Sequence, residues 1–138
     1  SVVTVALVML IAVASVPGAS AHGGLMASPH VQELTPDTFD AAVIDSDANV
    51  FALFYAPWCG HCQAFAPQWK RLGALAHERG ADVKLVALDA SRYAAKAREH
   101  GVRGFPTIKL FPRHAKAKPL QYVAARDPES MLTFLLQH

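Results

Sequence analysis

Two kinds of hydrophobic spacing alternate along the chain. Residues 50–55 form an uninterrupted apolar run of strand length, and residues 83–88 form a second one. Between these runs, apolar residues recur at the spacing that places them on one face of a helix. This stripe comprises Cys62, Phe65, Trp69, Leu72 and Ala76. The pattern predicts an α/β fold, in which buried strands alternate with helices that cover both faces of a sheet.

Weaker signals complete this pattern. The further predicted elements are a strand at 31–34, a helix beginning at Thr35, a polar helix at 91–100, strands at 107–111 and 120–123, and a last helix beginning at Asp127. The predicted core face of the last helix is Met131, Leu132, Leu135 and Leu136. Pro67 predicts a kink in the long helix, and Gly80 predicts the end of that helix. Residues 112–119 are predicted to form a solvated turn.

The first 30 residues differ from the rest. Residues 2–16 are almost wholly apolar, Pro17-Gly18 breaks any helix, and Ala19-Ser20-Ala21 has the small residues of a leader-peptidase site. We therefore interpret residues 1–21 as a secretory signal peptide and residues 22–30 as a flexible mature N-terminus. Residues 31–138 are then one domain, with no membrane attachment after cleavage.

Composition narrows the class of partner. The formal net charge is +2, and no basic stripe alternates with aromatic residues, so a nucleic-acid partner is not expected. A hydrophobic content of 52% is inflated by the leader.

The chain has two cysteines, Cys59 and Cys62, and they lie where the strand at 50–55 gives way to the long helix. A helix N-terminus stabilises a thiolate, because its free N–H groups and the helix dipole are positive there. Cys59 is thus predicted to be the exposed nucleophile. Cys62 lies one turn into the helix and is predicted to be the buried second thiol. Gly60 is expected to allow a tight turn. His61 can place a positive charge or an N–H donor beside Cys59, which favours an oxidising pair.

Other uses of a Cys-x-x-Cys pair fit less well. A structural zinc site requires four ligands, and the sequence has no second pair of cysteines or histidines at a suitable spacing. A c-type haem site requires His directly after the second cysteine, where this chain has Gln63. A structural disulfide remains open, although so short a ring adds little stability. The strand–motif–helix context favours redox chemistry, without metal or cofactor.

Residues 54–62 (FYAPWCGHC), followed by Ala66-Pro67, resemble the active site of the protein disulfide isomerases of the thioredoxin superfamily. Residues 101–107 (GVRGFPT) are similar to a second motif of that family. The resemblance covers roughly residues 31–137. It implies a thioredoxin fold with a central mixed β-sheet flanked by helices, and a redox disulfide between Cys59 and Cys62.

The resemblance also suggests how clients bind. It implies that Pro106 is cis and faces the disulfide, so that the backbone of Phe105 can pair with an extended client. Trp58, beside an exposed sulfur, is expected to form an apolar rim for unfolded chain. The resemblance further implies that Arg103 swings toward the cysteines and lowers the pKa of Cys62.

The chain departs from the family at two positions. Many isomerase domains have a buried Glu where this chain has Leu53, and a Lys where it has Ala87. The missing carboxylate is the group thought to carry the proton of Cys62. Its absence predicts a slow Cys62 step and leaves the type of chemistry unchanged.

These features predict a thiol–disulfide oxidoreductase and isomerase that acts on unfolded or misoxidised proteins and is recycled by a thiol oxidase or glutathione. Residues 136–138 are not a retention signal, so the expected location is the endoplasmic reticulum lumen or the outside of the cell. One alternative is a holdase-like module that binds clients with little turnover. Another is the thioredoxin part of a sulfhydryl oxidase, although no flavin domain supports it.

Overall fold

The computed structural model describes residues 24–138. The elements in chain order are β1 (Val31–Leu34), α1 (Pro36–Phe39), a π-helical turn (Asp40–Ile44), β2 (Val50–Tyr55), α2 (Gly60–Glu78), β3 (Lys84–Asp89), α3 (Ala94–Glu99), β4 (Thr107–Phe111), β5 (Leu120–Gln121) and α4 (Pro128–Gln137). The predicted order of strands and helices is confirmed. The polar helix begins at Ala94 and not at the predicted residue 91.

The five strands form one mixed sheet in the order β1-β3-β2-β4-β5. Strands β1 and β2 run parallel to β3, and β4 is antiparallel to both β2 and β5. Every residue of the central strand β2 is buried, because helices cover both of its faces. The predicted α/β fold with a mixed sheet is therefore confirmed.

Two apolar clusters lie on the two faces of the sheet. The α2 face packs the whole predicted stripe of α2 and two residues of α4, Met131 and Leu132, against alternate residues of β2. The α1/α3 face packs Phe39, Val43 and Ala97 against the other residues of β2. Alternation along one strand thus divides the core into two halves.

The helix boundaries follow the predicted signals. Thr35 and Thr38 form a capping box at α1, and the carboxylate of Asp127 accepts the N–H of Ser130 at 2.9 Å at α4. Pro67 lies inside α2, which continues to Glu78. Gly80 follows that helix with a φ of +60°, a conformation that favours glycine.

The structure corrects three expectations about the surface, wholly or in part. Residues 24–30 pack on the domain, because Met26 is fully buried and Ser28 bridges to Val31. The turn at 112–119 is tied down, since Arg113 pairs with Asp82 at 2.6 Å and Lys116 donates to the carbonyl of Val43 at 2.7 Å. Each of these cations donates a hydrogen bond to an acceptor that would otherwise bond to water.

The third concerns α4, where Leu136 is 64% exposed and does not join the core. Its predicted place is taken by Phe134, which packs near Phe51 and Tyr122 with ring centroids 5.9 and 5.0 Å apart. The predicted signal peptide, residues 1–21, lies outside the described residues. Among residues 24–138, no helix combines the length and apolar character needed to cross a membrane.

Candidate active site

The two cysteines lie at the junction of β2 and α2. Strand β2 ends at Tyr55, and Cys59 is the N-cap residue of α2, with extended backbone angles. The backbone N–H of Cys59 donates to the carbonyl of Ala56 at 3.1 Å, and the side-chain Nε2 of Gln63 donates to the carbonyl of Pro57 at 2.8 Å. These bonds fix the turn, so both thiols are held near the positive end of the helix.

Cys59 is half-buried, and its pKa is lowered. The largest cause is the backbone N–H of Cys62, which donates to the sulfur. Partial burial opposes this effect, while the thiol of Cys62 and the N–H of His61 strengthen it. Hydrogen bonds to the charged form favour that form, so Cys59 is the better nucleophile of the two.

Cys62 is fully buried on the α2 face. Burial, together with the hydrogen bond to Cys59 and the charge on that residue, raises the pKa of the Cys62 thiol to about 11. The N–H of Ala56 and the positive charge of Arg126 act in the opposite direction. Cys62 is therefore protonated at neutral pH and must lose its proton before it can attack a disulfide.

The residues between the cysteines act differently from the expectation. The ring of His61 is on an exposed residue, and the contact that lowers the pKa of Cys59 comes from its backbone N–H. Gly60 does not have a positive φ, and a Cβ at this position would meet no atom within 4 Å. The role predicted for Gly60 in the turn stays a prediction, and the open space above it leaves the site accessible.

An apolar rim lies beside Cys59. Trp58 is 69% exposed, and its ring meets that of Phe105 edge-on, with centroids 6.0 Å apart. Phe105 is half-buried and contacts both core clusters, and the Phe105–Pro106 peptide bond is cis. An exposed indole beside a half-buried ring forms an apolar surface that is open to solvent next to Cys59.

Arg126 is a positively charged residue that acts on Cys62 and that the sequence pattern did not single out. Arg126 precedes α4, and it lowers the pKa of Cys62. Arg126 also lines, with Pro106, a small cleft of about 180 Å³. Arg103 lies exposed in the loop after α3, and its swing toward the cysteines stays a prediction. No local signal marks Arg126, because only the fold brings its loop to the sheet edge.

The positions of the missing charge pair are direct neighbours. Leu53 and Ala87 are register partners on β2 and β3, and both are fully buried. Removing both charges together avoids leaving one of them buried without a partner. Within residues 24–138, no group of three or more His, Cys, Asp or Glu side chains is arranged to hold a metal ion.

The thioredoxin family model matches residues 30–137 of the chain. The chain belongs to the thioredoxin family. It is 40% identical over 111 residues to human protein disulfide-isomerase A6, covering 80% of this chain and 24% of that protein. It is also 40% identical over 109 residues to a probable protein disulfide-isomerase A6 of Medicago sativa, covering 79% of this chain and 29% of that protein.

A solved structure, the J-Trx1 fragment of ERdj5, superposes with a TM-score of 0.70 at 28% identity, covering 80% of this chain and 52% of that one. This thioredoxin domain spans less than a third of the length of the two isomerases it matches. The relatives confirm the resemblance to disulfide isomerase domains, and the solved structure confirms the thioredoxin fold.

Proposed function

We propose that this domain is a thiol–disulfide oxidoreductase and isomerase that acts on folding proteins through Cys59 and Cys62. The opposite pKa shifts of two thiols one helical turn apart carry this proposal. The accessible thiol ionises more readily than an ordinary cysteine, while the buried thiol keeps its proton until it is needed. Such a pair matches the two successive attacks of thiol–disulfide exchange.

The reaction balances without any cofactor. The Cys59 thiolate attacks a client disulfide, one client sulfur leaves as a thiolate, and a mixed disulfide forms. Cys62 then loses its proton and attacks the sulfur of Cys59, which forms the Cys59–Cys62 disulfide and releases the second client thiolate. In the oxidising direction the same steps run in reverse, and glutathione or a thiol oxidase restores the disulfide.

Client binding is assigned to the rim of Trp58, Phe105 and Pro106. An extended, unfolded segment fits this rim, since it can present an apolar side chain to the indole and pair its backbone at Phe105. The isomerase names of the relatives and the predicted leader support a location in the endoplasmic reticulum lumen or in secretion.

Refolding of scrambled ribonuclease tests the proposal. We expect the wild type to restore ribonuclease activity, and Cys59→Ser to abolish this recovery because it removes the nucleophile. Cys62→Ser should instead retain client as a mixed disulfide with Cys59 on non-reducing gels, since the second attack is lost. If Cys59→Ser retains client as well as Cys62→Ser does, the two sulfurs have been assigned the wrong way round.

A binding module with little turnover is the second candidate. Two observations favour it: the buried register partners Leu53 and Ala87 carry no charged side chain, and Trp58 is an exposed apolar residue. The same experiment separates the candidates when aggregation of a reduced client is also measured. Suppression of aggregation that survives Cys59→Ser with Cys62→Ser, together with no ribonuclease recovery by the wild type, would establish the module instead.

A further inference from the structure

The small cleft that Pro106 and Arg126 line together has no part in the reaction above. It has a volume of about 180 Å³ and lies between the start of β4 and the segment that leads from β5 to α4. Thr107 lines it on the β4 side, and Val123 and Ala124 line it on the other. Small-molecule pockets usually measure about 300–1,000 Å³. This space, the Arg126 cleft, therefore has room for a side chain and not for a whole small molecule.

The Arg126 cleft continues the apolar rim beside Cys59. The rings of Trp58 and Phe105 meet with centroids 6.0 Å apart, and Phe105 is bonded to Pro106, which lines the cleft. Val123, on the opposite side of the cleft, is 85% exposed. One residue of an extended chain spans about 3.3 Å. An extended client that pairs at Phe105 therefore reaches from the indole to the cleft within a few residues.

The charge of the cleft is that of one arginine. All the residues that line it lie within 24–138, and Arg126 is the only charged one among them. Arg126 is exposed, and no carboxylate in the described part of the chain forms an ion pair with it. The carboxylate of the next residue, Asp127, instead accepts the N–H and the hydroxyl of Ser130 at 2.9 and 2.6 Å. The guanidinium is thus available to a carboxylate from another molecule, which it can bind through two parallel hydrogen bonds.

The cleft and the reactive thiols belong to the same region. Cys59 and Phe105 both pack against the core cluster that contains Cys62, and the charge of Arg126 acts on the Cys62 thiol. A client cysteine bonded to Cys59 therefore brings its neighbours in sequence to the rim and the cleft. Residues two apart in an extended chain face the same side. The side chains that can reach the guanidinium are those within two residues of the client cysteine.

We propose that Arg126 makes this domain select clients that carry Asp or Glu within two residues of their reactive cysteine. This rests on the function proposed above and names the substrate class of that site. The client carboxylate bonds to the guanidinium in the Arg126 cleft while an apolar neighbour lies on the indole of Trp58. Cys59 attacks the client sulfur as before, and no covalent bond changes at Arg126. Arg126 is therefore a specificity-determining residue for the first attack.

The test measures the first attack alone. Cys62→Ser is the parent protein, so that the reaction stops at the mixed disulfide with Cys59. The probes are short peptides whose single cysteine carries a thiopyridyl group. The Cys59 thiolate bonds to the peptide sulfur, the bond to the thiopyridyl sulfur breaks, and the released pyridinethiolate takes a proton from water and is followed by its absorbance. Two positions on each side of the cysteine carry Glu, Gln or Lys in turn.

The measured quantity is the ratio of the second-order rate constants for the Glu and Gln peptides. Both peptides meet the same thiolate, so this ratio cancels any change in the reactivity of Cys59. At one or more positions we expect the Glu peptide to react about threefold to fivefold faster than the Gln peptide, the upper range for an ion pair open to solvent. The Lys peptide should be the slowest, and 1 M salt should bring the ratio toward one.

Variants at position 126 show whether the guanidinium is responsible. Arg126→Gln should reduce the ratio to one, Arg126→Lys should keep most of it, and Arg126→Glu should make the Lys peptide the fastest. Arg79→Gln is the matched control, because it removes the same charge from an exposed residue at the other end of α2. It should leave the ratio unchanged.

Equal rates for the Glu, Gln and Lys peptides at all four positions would overturn the inference, and so would a preference for Glu that survives Arg126→Gln. Oxidised glutathione forms a separate arm, because it carries carboxylates of its own. A dependence on Arg126 that is confined to glutathione would assign the cleft to glutathione and also overturn the inference. Failure of Cys59 to react with any of these disulfides would refute the proposed function itself.

Discussion

The central strand β2 contributes to both faces of the sheet, and the two faces differ in the residues they bury. Phe51, Leu53 and Tyr55 of β2 face the α2 side, where Cys62 is buried. The alternate residues face the α1/α3 side, where His100 lies among Phe39, Phe54 and Phe111 at centroid distances of 4.8 to 6.1 Å. One face holds the reactive groups, and the other holds an aromatic core.

Glu33 and His100 are half-buried titratable side chains on opposite faces, and their polar atoms differ in hydrogen bonding. Glu33 on the α2 side has two hydrogen-bond donors on its carboxylate. The Nε2 of His100, on the other side, has no hydrogen-bond partner among residues 24–138. A satisfied polar group is held in place by its partners, whereas an unsatisfied buried one costs desolvation free energy. The α2 side also buries Cys62, so substitutions there should alter chemistry as well as stability.

The largest expected effect is that of a charge placed on the α2 side without a partner. Leu53→Glu should destabilise the fold by roughly 3–5 kcal/mol, because it buries a carboxylate among apolar side chains. Adding Ala87→Lys at the register partner should restore part of this loss. Urea denaturation of both variants measures the change in the free energy of unfolding, with Leu53→Met as a control of similar volume. A double variant less stable than Leu53→Glu would contradict the pairing of these positions.

Cavities on the two faces should separate chemistry from stability. Leu34→Ala, on the α1/α3 side, should cost about 2–5 kcal/mol and leave the reactivity of both thiols unchanged. Phe65→Ala, three residues after Cys62, should cost about 3–5 kcal/mol and also lower the pKa of Cys62, because it admits water to the buried thiol. Alkylation rates of the thiols against pH, beside thermal unfolding, check both. A shift of the Cys62 pKa in Leu34→Ala would show that the faces are not independent.

A smaller effect is expected at the two loop arginines. Arg126→Gln should raise the pKa of Cys62 and slow its attack severalfold, because it removes the cation that lowers this pKa. Arg103→Gln is the matched substitution at another exposed arginine. Rapid-mixing measurements of the second attack compare them, and an effect of Arg103→Gln larger than that of Arg126→Gln would restore the role first predicted for Arg103.

The smallest effect is expected at His100. Burial lowers its pKa below the ordinary value of 6.5, with Lys96 and Lys109 acting in the same direction and Glu99 and Asp40 against it. The unfolded chain binds this proton more tightly, so stability is lost as pH falls below 6.5 toward the folded pKa. His100→Phe should remove this loss while leaving ribonuclease refolding unchanged. Thermal unfolding at pH 5 and pH 8 measures it, and equal pH dependence in both proteins would refute the assignment.

Local patterns predicted the elements well because each has its own signal. The stripe from Cys62 to Ala76 and the cap at Asp127 require only neighbours in sequence. What was missed depends on residues far apart in the chain. Arg126 acts on Cys62, and Glu33 bonds to Tyr55, only because loops and strands meet in the folded sheet. On α4, Met131, Leu132 and Leu135 pack on the core as predicted, and only Leu136 was misplaced, since the tertiary contact of Phe134 with Phe51 decides which edge of the helix faces the sheet.

The strand order has a consequence for the domain during its synthesis. Strand β2, which leads to both thiols, lies between two strands that are both made after it. The N–H groups that lower the pKa of Cys59 belong to the first turn of α2 and exist as soon as that turn forms. The burial that raises the pKa of Cys62 requires β3, β4 and α4, which leave the ribosome later. A nascent chain therefore has its nucleophile before its second thiol is sheltered, and the two sulfurs become fully unequal only when the domain is complete.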